Sequence, residues 1–202
     1  FVSFSNENYD PTAAYVLKHL KTRLTQLRAG ANGDYSKIES FIVEYVKSLG
    51  AFFTSLLSLL ERAERATSYY KLFSILQLSA TIYPLIVKLE TLNLLDKPIP
   101  SLDARTTFLD LIEIIDVRVY KTRGTDPKAD IARFTYEISK KSKEEMESWL
   151  LWFNNRWMSN EEFQAALTSN IFGNRALNHI FINYCEEIKR SDFKIDELKM
   201  IS

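Results

Sequence analysis

Residues 80–95, ATIYPLIVKLETLNLL, decide the fold class of this chain. Apolar residues fill most of the stretch, so a helix here is apolar around most of its circumference. Such a helix lies at the centre of a bundle, where other helices cover it. Pro84 falls near the start, where a helix tolerates proline because the first turn needs no donor from it. The stretch therefore predicts a central, buried helix.

The composition of the whole chain extends this prediction. The 202 residues are 46% hydrophobic and include only 5 Gly and 5 Pro, well below the usual levels of about 7% and 5%. Few turn residues favour long helices, and apolar residues recur at helical spacing along most of the chain. We predict an all-α, irregular multi-helix bundle of about eight to ten helices with no β-hairpin. We expect residues 1–202 to form one helical domain, a fragment of a longer multidomain protein.

Capping residues and apolar stripes predict individual helices. Asp10 and Pro11 suit the N-cap and first position of the first helix, Gly50 is expected to bend the second, and Ser142 followed by Glu145 resembles a capping box. The buried stripe predicted for the second helix comprises Ile38, Phe41, Ile42, Tyr45, Val46, Leu56, Leu57, Leu59 and Leu60. The stripe predicted for an amphipathic helix over residues 174–189 comprises Leu177, Ile180, Phe181, Tyr184 and Ile188.

Charge and cysteine content indicate the compartment. Lys plus Arg and Asp plus Glu are both 26, whereas dedicated nucleic-acid binders usually have a basic excess, so only a local basic patch stays open. The single cysteine, Cys185, cannot form an intramolecular disulfide, which fits the reducing cytoplasm. The longest apolar run, residues 50–60, has about 11 residues against the roughly 20 of a membrane span. We predict a cytoplasmic protein without a membrane partner.

No catalytic or cofactor motif stands out in the sequence. The only histidines are His19 and His179, and no Cys-x-x-Cys pair exists. His179 and Cys185 lie six positions apart on one predicted helix and so face different sides. We expect Cys185 to be a buried, unreactive thiol. Phosphate-binding loops, dinucleotide fingerprints, nucleophile elbows and His-Asn-His patterns are absent, so we predict no catalytic residue, cofactor or metal ligand.

Two further clusters have a functional and a structural interpretation. Asp110, Glu113 and Asp116 lie three apart on one helical face, which suits cation binding or acid–base work. The interpretation we favour is the solvated side of an amphipathic helix. Trp149 and Trp152 share a face, and we expect the tryptophan cluster to lie mostly in the core.

The strongest local signal is a basic strip over residues 118–143. It holds eight basic residues against three acidic ones, with Tyr120, Phe134 and Tyr136 interleaved. Such a strip on a neutral chain can contact phosphate, and the alternative is an ordinary solvated loop. The candidate DNA or interdomain contacts are Arg118, Tyr120, Lys121, Arg123, Lys128, Arg133, Lys140, Lys141 and Lys143.

Several segments resemble the middle region of GmrSD-like restriction endonucleases. Residues 109–121, LDLIEIIDVRVYK, resemble that family's leucine-rich helix followed by Phe-Arg-Val-Tyr-Lys, with Val117 in place of the phenylalanine. Residues 132–138, ARFTYEI, are similar to its Arg-x-x-Tyr-Glu-Leu helix. Residues 174–187, NRALNHIFINYCEE, are similar to a later aromatic helix, and residues 82–85, IYPL, to an upstream Tyr-Pro-Leu. The resemblance covers roughly residues 78–189.

The resemblance implies a modular parent protein of bacterial phage defence. Such proteins join a ParB-like nucleotide-hydrolysing domain, with an Asp-Gly-Gln-Gln-Arg motif, to a His-Asn-His nuclease domain that cleaves modified phage DNA. No position of this chain matches a catalytic residue of either domain. The implied function is a non-catalytic connecting domain that positions the two flanking catalytic domains and is a candidate for DNA contact. Arg118 and Tyr120 match the family motif and imply packing or interdomain contact.

Two competing hypotheses do not use this parent. The chain could be a stand-alone helical module that binds a partner protein in a groove. It could instead be a small-molecule enzyme that uses the acidic stripe with a divalent cation. Neither the oligomeric state nor the modified base and nucleotide of a parent protein follow from the sequence.

Overall fold

The computed structural model describes residues 4, 16–31, 34–99, 101–169 and 171–201 of the chain. Within these residues the fold is all-α, 78% helical with ten α-helices, as the sequence predicts. The helices are α1 (Val16–Ala29), α2 (Ser36–Arg65), α3 (Thr67–Tyr70), α4 (Tyr83–Thr91), α5 (Phe108–Ile115), α6 (Lys128–Glu137), α7 (Lys143–Trp157), α8 (Asn160–Ser169), α9 (Leu177–Lys189) and α10 (Ile195–Ile201). Short 3₁₀ turns lie at Ala80–Ile82, Ile138–Lys140 and Ile171–Gly173, and π-helical turns at Lys71–Ile75 and Asp116–Thr122.

Helix α4 is the centre of the bundle. Leu85, Ile86, Val87 and Leu89 are fully buried, and α2 and α6 pack against this helix. Pro84 lies in its first turn, where the missing donor costs nothing. The predicted central helix is confirmed, although it ends at Thr91 and not at residue 95.

Helix α5 and the π-helical turn after it form a second buried element. A capping box begins α5, because the Thr107 hydroxyl accepts from the Asp110 amide and the Asp110 carboxylate accepts from the Thr107 amide. Phe108, Ile112 and Ile115 are fully buried. The helix then continues as a π-helical turn at Asp116–Thr122. Single π-helical turns are frequent at functional sites.

A small antiparallel hairpin corrects the prediction that the chain has no β-hairpin. Strand β1 (Pro98–Ile99) pairs with β2 (Asp103–Thr107), with Pro98 opposite Thr107 and Ile99 opposite Asp103. Ile99 is fully buried. These strands are too short to show a period-two pattern, so the sequence indicated only a proline-marked loop.

Helix α2 also departs from the sequence prediction. It runs without a break through Gly50. Four residues expected in its buried stripe are exposed instead: Ile42 (44%), Val46 (61%), Leu57 (60%) and Leu60 (48%). The predicted N-cap at Asp10 and Pro11 lies outside the described residues. The predicted capping box at Ser142 is confirmed, since the Ser142 hydroxyl accepts from the Glu145 amide.

Among the described residues, one helix, α2, is long and apolar enough to cross a membrane by length and composition alone. One face of this helix packs on α4, where Leu59 is fully buried. Ser58 and Arg62 both bond to Glu90 of α4, at 2.8 and 3.0 Å. Such polar contacts between α2 and α4 are typical of a helix packed within a folded domain. One helix that is long and apolar enough is weak support for a membrane span.

Candidate functional site

Helix α9 turns its polar face toward the bundle. His179 is 1% exposed and Glu186 is 8% exposed. On the opposite side, Phe181, Tyr184 and Ile188 are 50%, 60% and 64% exposed. The amphipathic helix is therefore confirmed, but the prediction that its apolar stripe is buried is wrong for these three residues. Sequence reasoning missed the site that the polar face builds.

The polar face of α9 meets α5 and the π-helical turn after α3. Nε2 of His179 lies 2.8 Å from the Glu113 carboxylate, and the Asn183 amide donates to the same carboxylate at 3.2 Å. Lys71 donates to the Asn183 carbonyl oxygen at 3.0 Å and to Glu186 at 2.7 Å. These five residues, which we call the polar network, join three elements that lie far apart in the sequence.

The electrostatics of Glu113 follow from this network. Burial raises the pKa of Glu113, but the hydrogen bonds from His179 and Asn183 and the charges of His179 and Lys71 outweigh it. The pKa of Glu113 therefore lies below its usual value, and the carboxylate is charged at neutral pH. The Glu113 carboxylate thus links α5 to α9 through His179 and Asn183, and removing it would leave these partners without their acceptor.

Asp116 lies one helical turn beyond Glu113 in a different environment. Its side chain is fully buried, and burial raises its pKa, which the Ser79 amide and the Lys121 charge offset only in part. The Ser79 amide lies 3.4 Å from both carboxylate oxygens, and Lys121 lies 3.9 Å away. Asp116 thus fixes the segment before α4 to the π-helical turn after α5.

The acidic stripe is therefore not a solvated face, which corrects the favoured interpretation. Asp110 caps α5, Glu113 belongs to the polar network, and Asp116 is buried apart from both. Within the part of the chain that the structure describes, no group of three or more His, Cys, Asp or Glu side chains could hold a metal ion. The cation-dependent enzyme hypothesis gains no ligand set from these residues.

A cleft of about 730 Å³ opens beside the polar network. Charged residues of both signs surround it, and the network side chains in its wall bond to one another. The His179–Glu113 pair resembles the base and orienting carboxylate of acid–base catalysis. However, His179 is almost fully buried, and among the described residues the side chains that bond to it are Glu113 and Asn183. The lining residues are Ser68, Lys71, Arg105, Asp110, Glu113, Asn183, Glu186, Glu187, Arg190, Ser191 and Asp192.

The first part of the basic strip packs against neighbouring elements of the fold. Arg118 donates to the Asn160 side chain at 2.7 Å, and its guanidinium lies 4.8 Å over the Phe163 ring. Arg123 donates to the Trp157 carbonyl. These contacts attach α8 and the end of α7 to the π-helical turn after α5. Arg118 thus packs on α8 through Asn160 and Phe163.

Tyr120 and Lys121 point to the same interior junction. Tyr120 is 8% exposed, and burial raises the pKa of its phenol. Lys121 donates to the Gln77 carbonyl at 2.7 Å. Both side chains are thus engaged at the π-helical turn, where the sequence placed them among the candidate DNA or interdomain contacts.

The second part of the basic strip lies at the surface of α6 and the start of α7. Lys128, Arg133 and Lys140 are exposed, and Lys141 and Lys143 are half-buried. Arg133 and Lys140 are seven positions apart, and so share a helical face with Tyr136. Neighbouring contacts on this surface are Arg133 to Asp130 at 2.9 Å, Lys141 to Glu137 at 3.6 Å, and Lys140 over the Tyr136 ring at 5.1 Å.

Two further predictions concern single side chains. Trp149 stacks on Phe134 with ring centroids 3.8 Å apart, as a core tryptophan does, but Trp152 is 49% exposed. Cys185 is exposed, which contradicts the expected buried thiol. It lies on the outward side of α9 because the helix is rotated to bury its polar face.

The chain has no significant match to a protein-family model, to a curated protein or to a solved structure.

Proposed function

We propose that this chain is the non-catalytic helical connecting domain of a GmrSD-like DNA-restriction protein. In this role it positions a nucleotide-hydrolysing domain and a nuclease domain. The observation that carries the proposal is the orientation of α9, the helix that resembles a motif of that family. A helix that buries its ionic face and presents Phe181, Tyr184 and Ile188 to solvent offers an apolar surface to an adjoining domain.

The packing of the resembling segments supports the same proposal. Residues 109–121 and 174–187 meet through Glu113, His179 and Asn183. Residues 82–85 lie at the start of the central helix α4, which packs on α6, the helix that contains most of residues 132–138. The segments that resemble the family are thus joined in two pairs by contacts between distant parts of the chain, which suits a scaffold.

Contact with DNA is assigned to the exposed part of the basic strip. Lys128, Arg133 and Lys140 have the exposure that phosphate contact needs, whereas Arg118, Tyr120 and Lys121 are engaged within the fold. Contacts of this kind are salt-dependent and independent of sequence.

The parent protein is tested by reading the source gene beyond both ends of this chain. The proposal expects an open frame with an Asp-Gly-Gln-Gln-Arg motif upstream and a His-Asn-His nuclease box downstream. A start codon directly before Phe1 together with a stop codon directly after Ser202 would overturn it. The stand-alone interaction module would then be the better hypothesis, since α9 offers its apolar face in either case.

The DNA contact is tested separately by fluorescence anisotropy with a labelled duplex at low and moderate salt. We expect affinity to fall steeply with salt, and a Lys128→Glu/Lys140→Glu variant to lose most of it. The matched control is Lys37→Glu/Lys97→Glu, which makes the same charge change at exposed sites on α2 and before β1. Equal losses in both variants, or no binding at low salt, would retire the DNA contact and leave the scaffold role standing.

A further inference from the structure

Helix α2 carries two apolar stripes on different sides. The inner seam faces α1 at Tyr45 and packs toward α3 and α4 farther along the helix. It is buried or half-buried and consists of Tyr45, Leu49, Phe52, Leu56, Leu59 and Ala63. The outer seam is exposed along its whole length. Its apolar side chains are Val43, Val46, Phe53, Leu57 and Leu60, with Gly50 inside the stripe and Glu64 at its end. Positions in the outer seam alternate between spacings of three and four, which is the heptad repeat of a coiled coil.

The outer seam is an unusual surface for a single copy of a folded chain. Val46, Phe53 and Leu57 are 61%, 52% and 60% exposed. The apolar part of the seam, from Val43 to Leu60, extends over about 26 Å at the rise of 1.5 Å per residue. Monomeric proteins rarely expose a continuous apolar surface of this length, and a surface of this kind marks an interaction site.

Charges beside the outer seam make it complementary to itself. Lys47 lies seven residues before Thr54, and Glu61 lies seven residues after it, all three exposed. Seven residues are one heptad, so the three side chains line the same edge of the seam. A two-fold axis across the helix near Thr54 brings Lys47 of each copy opposite Glu61 of the other. Surfaces that match themselves in this way form isologous dimers.

The ion pair that Lys47 forms with Glu44 in a single copy does not prevent it from pairing with Glu61 of a second copy. Lys47 pairs with Glu44 on its own helix at 2.9 Å, and both side chains are about two-thirds exposed. Exposed pairs of this kind contribute little to stability, so Lys47 can exchange this partner for Glu61 of another copy.

Gly50 provides a second, independent observation. A Cβ built at this position meets nothing within 4 Å, so the fold of a single copy does not require glycine here. Glycine inside a helix destabilises it relative to alanine. In an antiparallel pairing that sets Phe53 against Leu57 of the second copy, Gly50 faces the large side chain of Leu60. Glycine at this position would therefore leave room for Leu60 of the second copy.

We propose that the outer seam of α2 pairs with the outer seam of a second copy of this chain as an antiparallel coiled coil. The pairing buries the apolar surface and brings Lys47 of each copy to Glu61 of the other. It does not depend on the parent protein proposed above. If the seam bound a lipid surface or a different protein instead, the chain would not self-associate through it, and the experiment below measures that self-association.

The direct test is sedimentation velocity of the full chain over a wide concentration range. We expect the wild type to dimerise, and Leu57→Asp to raise the dissociation constant at least about tenfold, as loss of a central apolar contact does. The matched control is Phe181→Asp on α9, an apolar side chain with similar exposure. Because both replaced side chains point to solvent, circular dichroism should show the same helix content in all three proteins.

The orientation is tested by exchanging charges. Lys47→Glu should weaken the dimer by placing like charges opposite one another, and Lys47→Glu/Glu61→Lys should restore it. A wild type that stays monomeric at the highest concentration overturns the proposal. So does an equal loss in Phe181→Asp, a double variant that fails to recover, or binding to phosphatidylcholine vesicles that Leu57→Asp abolishes while the wild type remains monomeric in solution.

Discussion

Helices α4 and α9 bury opposite kinds of surface. Around α4, Leu85, Ile86, Val87 and Leu89 are fully enclosed by apolar neighbours. Helix α9 instead buries His179 and Glu186 and leaves Phe181 and Tyr184 in solvent. The first helix is held by the transfer of apolar surface out of water, which has no preferred direction. The second is held by hydrogen bonds and charges that must meet specific partners.

The difference shows that apolar content alone does not decide which face of a helix is buried. For α4, apolar residues from Leu85 to Leu89 cover most of the helix surface, so most of it is buried in any rotation. For α9, Glu113 on α5 bonds to His179, and Lys71 on the π-helical turn after α3 bonds to Glu186. These contacts fix the rotation of α9 about its own axis. Substitutions that remove apolar contacts of α4 and those that remove ionic contacts of α9 should therefore differ in their effects on unfolding free energy, hydrogen exchange and pH dependence.

The largest expected effect comes from the apolar side of the comparison. Ile86→Ala should lower the free energy of unfolding by about 4 kcal/mol, because it leaves a cavity at the centre of the bundle. The measurement is equilibrium unfolding in urea followed by circular dichroism. Ile42→Ala removes the same atoms from a side chain that is 44% exposed and should change stability by no more than about 0.5 kcal/mol. Similar losses in both variants would refute the central position of α4.

The ionic side of the comparison should show a slightly smaller effect. Glu113→Ala leaves His179 and Asn183 without their acceptor and should cost about 3 kcal/mol, as loss of one member of a buried ion pair does. Hydrogen exchange should quicken in α9 well before it changes in α4. The exposed Glu187 on the same helix serves as control, and Glu187→Ala should be nearly neutral. Uniform acceleration over the whole bundle would show that the polar network does not hold α9 in particular.

Acid should separate Glu113 from Asp116. The pKa of Glu113 is lowered in the fold, so its contribution to stability is present above its unfolded pKa of about 4.3 and is lost as pH falls through the folded value. The pKa of Asp116 is raised by burial, so its ionisation costs stability as pH rises above about 3.9. Urea unfolding from acid to neutral pH should show the deficit of Glu113→Gln growing with pH, and that of Asp116→Asn shrinking or reversing. Parallel pH profiles for the two variants would contradict these opposite shifts.

The smallest effect is expected on the outer side of α9. Phe181→Ser should change the free energy of unfolding by less than about 0.5 kcal/mol, because the ring is already half in solvent. Ile182→Ser, at a neighbouring position that is 5% exposed, should be far more costly. Thermal unfolding monitored by circular dichroism compares the two. A large loss in Phe181→Ser would mean that this face is covered within the fold.

The sequence predicted the parts of the fold that local rules govern. Three predicted features are confirmed: a central helix within residues 80–95 (observed at Tyr83–Thr91), the capping box at Ser142 and the amphipathic helix that ends at Lys189. They were predictable because hydrophobic period, caps and turn residues act over a few neighbouring positions. The hairpin that contains Ile99 was missed because its strands are too short to show the alternation of apolar and polar residues that identifies a strand. The exposed stripe of α2 was missed because a helix with apolar residues on two sides does not show which side is covered.

The candidate site lay beyond sequence reasoning for a related reason. Asp110, Glu113 and Asp116 share one spacing, yet one caps a helix, one belongs to the polar network and one is buried beside Ser79. The spacing was visible, but the partners of Glu113 lie 66 or more residues away at His179 and Asn183. A signal that could have found the network was the row of His179, Asn183 and Glu186 at helical spacing on one face of α9.

The sequence by itself determined the helical class of this protein, because apolar period, helix caps and the scarcity of Gly and Pro are properties of neighbouring residues. The tertiary structure alone decided that α9 is rotated onto its ionic face and that α2 keeps one seam uncovered. Both outcomes depend on which groups arrive from distant parts of the chain. Burial of a charge is favourable only where those groups supply its hydrogen bonds.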